Sequence, residues 1–229
     1  MNKLTAAKQK IVSQQVEIKN KINSIELEAH WFRRVFHTFA ASFLIYYLLP
    51  DDPWISTLKI FIAVGIVVFV IILEYLRIKG IIRSSNFFGL RIYEEKRPAS
   101  YVYFGVALLI LLVFFPQQIA IPCILCACFS DPIMGEIRHR LGKKEAYIGG
   151  FLICMFFFLI TWHTVDISIL IFISILGASA AVIGESKKFW LIDDDFMIQM
   201  LPAVILFALW QVLLFVGVNI LPAKFILPL

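Results

Sequence analysis

Residues 55–76, ISTLKIFIAVGIVVFVIILEYL, carry only two charged side chains, Lys59 and Glu74. A run of this length matches the roughly 20 residues a helix needs to cross a hydrocarbon core about 30 Å thick. Further apolar runs lie at roughly 34–50, 101–116, 117–130, 146–164, 167–184 and 197–220. In lipid the backbone can hydrogen-bond only to itself, so each run is expected to be helical. The runs at 101–116 and 117–130 are short. They read as thin spans or as a hairpin that dips into the bilayer, with Pro116 at the turn and Pro122 disturbing the fourth helix. The fold expected is all-α: a polytopic membrane bundle of about seven transmembrane helices, with an amphipathic helix at the N-terminus.

Composition agrees. Hydrophobic residues make up 61% and mean hydropathy is +0.87, against about 45–50% apolar residues in soluble domains. Residues 1–30 form a separate polar, Lys-rich segment. Leu4, Ile11, Ile18, Ile22 and Ile25 fall on one helical stripe there, as in a helix lying on headgroups. It lacks the apolar core and cleavage site of a signal peptide. Residues 31–229 are expected to form one transmembrane domain, the catalytic one if the chain is an enzyme. Cys123, Cys126, Cys128 and Cys154 sit inside apolar runs and read as small packing residues, with neither zinc nor disulfides expected.

Charge orients the bundle. With seven crossings and the N-terminus inside, seven Lys/Arg precede the first span. Six more lie in 77–100, four in 131–145 and two in 185–196, so nineteen of the 21 are cytoplasmic. That satisfies the positive-inside rule. Of the 16 carboxylates only Asp51, Asp52 and Asp166 fall outside. Both signs therefore collect on the cytoplasmic face, which marks it as the working face. The net charge of +5 fits anionic headgroups or a phosphate-rich ligand; no nucleic-acid signature occurs.

Five clusters supply chemistry on that face. Arg33 and His37 are four residues apart at the entry of the first span and share a helical face. EYLR (74–77) ends the second span; Glu74 and Arg77 can pair, and an acid at this depth is costly enough to be a functional candidate. Residues 86–98 add Arg91. FSDPIMGEIRHRLGKK (129–144) brings Asp131 at the membrane edge, then Gly142, Lys143 and Lys144. A glycine that frees the backbone followed by two ammonium groups suits phosphate. GESKKFWLIDDD (184–195) supplies Glu185, Lys187, Asp193, Asp194 and Asp195. Three adjacent carboxylates serve equally well as a helix-start cap or as Mg²⁺ ligands. Carboxylates for metal and cations for phosphate on one face are the parts of phosphoryl or nucleotidyl transfer.

The order of these clusters resembles the CTP-dependent lipid kinase family, which includes dolichol kinase, phytol kinase and CTP-dependent diacylglycerol kinase; phosphatidate cytidylyltransferase is a relative. RRVFH (33–37) is similar to the family's R-K-x-x-H, and EYLR to its E-x-x-R. FFGLRIYEEKRPASYVYFGVALLILLVFFP (87–116) is similar to its Arg-Glu loop and the helix that follows. SDP…LGKK (130–144) is similar to D-P-x-A…G-K, and ESKKFWLIDDD (185–195) to its Glu followed by D-D-N. Arg138 stands near the family's glycine, and Asp-Asp-Asp replaces Asp-Asp-Asn. The resemblance implies phosphorylation of a lipid hydroxyl (polyprenol, phytol-like alcohol or diacylglycerol) by CTP with Mg²⁺. Asp131, Asp194 and His37 would then be catalytic. Asp131, Glu185, Asp194 and Asp195 would hold the metal. Arg33, Arg77, Arg91, Gly142, Lys143, Lys144 and Lys187 would bind the nucleotide. The partners implied are a bilayer lipid and a nucleoside triphosphate, with room for a homodimer. A lipid-phosphate cytidylyltransferase uses the same parts. A transporter or scaffold is the non-enzyme alternative, and a transporter would require polar mid-membrane groups and a repeat that the sequence lacks.

Overall fold

A computed structural model describes residues 34–82, 90, 94, 97–186 and 192–229. The expected N-terminal amphipathic helix, Arg33, Arg91 and Lys187 lie outside the described residues. Every regular element described is helical. The first, α1, is helical over 34–40 and tightens to a 3-10 helix over Ala41–Tyr47. Then come α2 (Pro53–Ile78), α3 (Ser100–Phe114), α4 (Gln117–Leu125), a π turn (Cys126–Ser130), α5 (Asp131–Arg140), α6 (Lys143–Thr161), α7 (Ile167–Ser186) and α8 (Asp194–Phe215).

Five helical stretches are long and apolar enough to cross a membrane: Pro53–Ile78, Gln117–Arg140, Lys143–Thr161, Ile167–Ser186 and Asp194–Phe215. The α3 helix is apolar but shorter. The fourth run differs from its expectation. It does not stop at Ser130; α4, the π turn and α5 form one continuous helical stretch. Pro122 lies inside it, and a proline there leaves the carbonyl four residues earlier without its N–H partner. That carbonyl belongs to Gln118, and the buried Trp162 indole donates to it at 2.7 Å. A side chain from the end of α6 replaces the missing backbone donor, and the helix continues.

Small residues set the helix spacing, as in bundles where lipid gives no apolar driving force between helices. A Cβ on Gly150 would strike Met134 of α5, and one on Gly177 would meet the Phe158 ring of α6 at 2.6 Å. α7 packs along α6 and α8, and α3 packs on α8 and α2. α2 is the least covered: Phe61, Phe69 and Ile72 are exposed on it, as expected of a perimeter helix in lipid.

The two ends of the bundle differ. At one end the C-terminal tail closes over the loops. The Leu229 N–H donates to the Leu48 carbonyl, Gln117 exchanges hydrogen bonds with Ile226, and Gln118 donates to Pro222. Asp51 pairs with both Lys59 and Lys224 at 3.1 Å. The opposite end holds most of the remaining charge.

Candidate functional site

His37 is the centre of that charged end. Its side chain is buried and lies edge-on to Phe104, ring centroids 4.7 Å apart. Nδ1 is 3.3 Å from the carbonyl oxygen of Ala127. Ala127 lies in the π turn, and the residue five positions on, which would donate in that register, is Pro132. Proline has no N–H. The carbonyl is thereby left for the imidazole; a carbonyl oxygen only accepts, so the ring donates to it from Nδ1.

Both ring nitrogens face carboxylates. Nδ1 is 3.7 Å from Asp131 Oδ2, and Nε2 is 3.7 Å from Asp195 Oδ1. Nε2 makes no hydrogen bond among the described residues. One ligand atom from each of His37, Asp131 and Asp195 can be chosen so that all three lie within 4.8 Å of one another. Asp193, Asp194 and Asp195 form a second such group. Three helices thus deliver the cluster: α1, α5 and α8.

Local chemistry explains each placement. Asp131 follows the π turn directly, and Pro132 after it lacks the N–H that would carry the π register one residue further. Asp193 caps α8, its side chain accepting from the Asp194 N–H at 2.9 Å. Asp194 and Asp195 occupy the first turn, where the helix dipole favours negative charge. Gln199, fully buried, donates to the Asp195 carbonyl at 2.9 Å and to the Phe104 carbonyl at 3.4 Å. It ties the α8 turn carrying Asp195 to the α3 residue that supports His37. Gly184 lets α7 approach so closely that a Cβ there would lie 2.5 Å from the Met197 carbonyl oxygen.

Ion pairs surround the cluster. Glu185, buried, pairs with Arg138, and its second oxygen, Oε2, has no hydrogen-bond partner among the described residues. Glu136 takes Arg34 and Arg140. Farther along, the buried Glu74 and Arg77 form a two-bond pair, at 2.8 and 2.7 Å. Glu74 also accepts from the Ala99 N–H and the Tyr101 hydroxyl, each at 2.5 Å. Arg77 donates to the carbonyls of Glu94 and Arg97. This clamp pins the segment that leads into α3.

Comparison with protein-family models, with curated proteins and with solved structures finds no match.

Of the residues singled out from the sequence, His37, Asp131 and Asp195 meet, with Asp194 one residue away. Glu185 stands with Arg138 rather than in either potential metal group. The Arg77 contacts described are those of the clamp. Gly142 has a φ of +112°, a conformation that only glycine adopts readily, and begins α6. Lys143 and Lys144 follow in the exposed first turn of α6. α5 separates them from Asp131; from Asp131 to Arg140 it rises about 14 Å.

Four contributors are absent from the sequence reading: the Ala127 carbonyl, Arg138 as a partner, Tyr101 and Gln199. Only the first has a sequence signal, a proline five residues after Ala127.

Beside His37 lies an apolar cavity of about 370 Å³ between α1, α2 and α3. Phe36 and Phe104, which flank the imidazole, also line it.

Proposed function

We propose that this protein is an integral membrane kinase that transfers the γ-phosphoryl group of CTP to the hydroxyl of a membrane lipid alcohol. The observation that carries the reading is the meeting of His37, Asp131 and Asp195 from three helices beside an apolar cavity. An apolar acceptor with a polar end needs that juxtaposition. The choice of CTP rests on the order of motifs in the sequence.

The acids fit a hard divalent cation: two carboxylates from different helices, one of them buried, with a third adjacent. Asp131 and Asp195 would hold Mg²⁺, with Asp194 in support, and the ion would offset charge on the phosphates. Mg²⁺ favours oxygen, so the ring nitrogen is assigned to the proton. The hydroxyl oxygen attacks the γ-phosphorus and the bond from that phosphorus to the β–γ bridging oxygen breaks. CDP leaves, and His37 Nε2 takes the hydroxyl proton. Ala127 holds Nδ1–H and so fixes which nitrogen is basic. Arg138 offers a guanidinium beside Glu185, and the Gly142-Lys143-Lys144 turn offers N–H groups and ammonium charge to the outer part of the nucleotide.

The chain crosses the bilayer seven times in this reading, α4 through α5 counting as one crossing. The N-terminus and the charged end are cytoplasmic. The reading is supported by the charge distribution and by the tail-end contacts, which join loops of the expected outer side.

Incubating the purified protein with Mg²⁺, γ-labelled CTP and defined lipid alcohols tests it. Label in the lipid is the expected result. Release of labelled pyrophosphate in the presence of a lipid phosphate would make it a cytidylyltransferase, and label in neither product would remove both activities.

A further inference from the structure

We infer that the cavity between α1, α2 and α3 seats one alkyl or isoprenoid chain, whose hydroxyl end reaches His37. The inference rests on the lipid-alcohol reading above and narrows it to acceptors with a single chain.

The cavity has the position such a chain requires. Phe36 and Phe104 belong both to its wall and to the surroundings of His37. Tyr101, whose hydroxyl is held by Glu74, marks the polar end. From Tyr101 to Leu112, both in the wall, α3 rises about 17 Å. That is a little over half the hydrocarbon thickness of about 30 Å. An extended chain covers about 3.5 Å for every three bonds, so the cavity length corresponds to about 14 carbons.

Its volume fits one such chain. About 370 Å³ spread over about 17 Å leaves a section of about 22 Å². That is about 4.7 Å on a side, room for one chain whose carbons meet their neighbours at about 3.5–4.0 Å. A second chain would have to lie outside.

The walls also give a way in. Phe39 and Ile66 line the cavity yet are 67% and 43% exposed on the bundle perimeter. A lipid already in the bilayer therefore enters sideways, without leaving hydrocarbon. Gly105 adds a separate observation. Glycine in mid-helix is unfavourable, and a Cβ at this position would meet nothing within 4 Å. The space in front of it belongs to the cavity, not to a packed neighbour.

The test uses the full chain in phosphatidylcholine nanodiscs and a C14 alcohol bearing a terminal diazirine. Photolysis is expected to label peptides spanning α1 and α3. Unlabelled single-chain alcohols should compete at least tenfold better than diacylglycerol. Gly105→Leu, which fills the cavity, should cut labelling at least tenfold, whereas Gly105→Ala should leave it unchanged. Val67→Phe fills the same space from α2 and covers the case in which Gly105→Leu does not fold. Three results would overturn the inference: equal labelling by a photoreactive phosphatidylcholine, equal competition by diacylglycerol, or indifference to both filling variants. The two readings fail separately. Cavity labelling without any phosphoryl transfer would remove the kinase and keep the chain site. Full phosphorylation of long-chain alcohols by both filling variants would remove the chain site and keep the kinase.

Discussion

Nε2 of His37 and Oδ1 of Asp195 stand 3.7 Å apart, joining the first described helix to the last. With Nδ1 held at the Ala127 carbonyl, Nε2 is the ring nitrogen that faces a buried carboxylate. A ring nitrogen beside a buried carboxylate is placed to take up a proton and hold it. Replacing His37 by Gln should therefore cut phosphoryl transfer by about 10²–10⁴, the usual worth of a positioned base. Asp195→Asn should cost at least about 10². Initial rates with labelled CTP, alongside a size-exclusion profile that shows a folded protein, check both. Rates within threefold of the parent would remove these residues from the chemistry.

Glu74 and Arg77 form a buried pair whose partners include the backbone before α3. Glu74→Ala removes the carboxylate that holds the buried guanidinium with two hydrogen bonds. Breaking a buried pair on one side costs about 3–5 kcal/mol. For a chain of this size that lowers Tm by about 10 °C. The double variant Glu74→Ala, Arg77→Met should recover part of the loss. Thermal melts in detergent followed by tryptophan fluorescence would show it; a double variant less stable than Glu74→Ala contradicts the account.

Gly184 permits the close α7–α8 crossing, one residue before Glu185 turns to Arg138. A methyl at Gly184 would press on the Met197 backbone, two residues after Asp195. Gly184→Ala should cost about 1–3 kcal/mol through overpacking. It should also lower kcat more than it raises KM, because it moves the turn assigned to the metal and leaves the chain cavity intact. Steady-state kinetics with varied lipid alcohol separates the two parameters. A change in KM alone would contradict the account.

Asp51 links Lys224 of the tail and Lys59 of α2. Its carboxyl is held below the ordinary range, chiefly by the Lys224 hydrogen bond and then by that of Lys59. A depressed folded pKa means that the contribution is fully present above the ordinary value of about 3.9 and is lost as pH falls through the lower folded value. Tail residues 217–229 should thus become protease-sensitive only in that acid window, and Asp51→Asn should expose them at neutral pH. Equal tail protection in Asp51→Asn at pH 7 would dismiss the clasp.

The helical class and most of the helix positions were legible in the sequence, because lipid leaves a backbone few ways to satisfy its polar groups. The acids and His37 were legible as types. The chemistry of a side chain travels with its identity, and clusters at the ends of apolar runs are costly unless used. The fate of the fourth run was not legible. Pro122 reads as a disturbance of the helix until Trp162 is brought to the Gln118 carbonyl from another helix.

Sequence alone determined that this chain is built from apolar helices and that its charges gather in few places, since both follow from residue type and order. Tertiary packing decided which charges meet. Asp195 rather than Asp194 faces His37, Glu185 turns to Arg138, and Arg77 serves the loop before α3. Those choices depend on helix rotation and on close approaches at Gly150, Gly177 and Gly184, set by contacts between residues far apart in the chain.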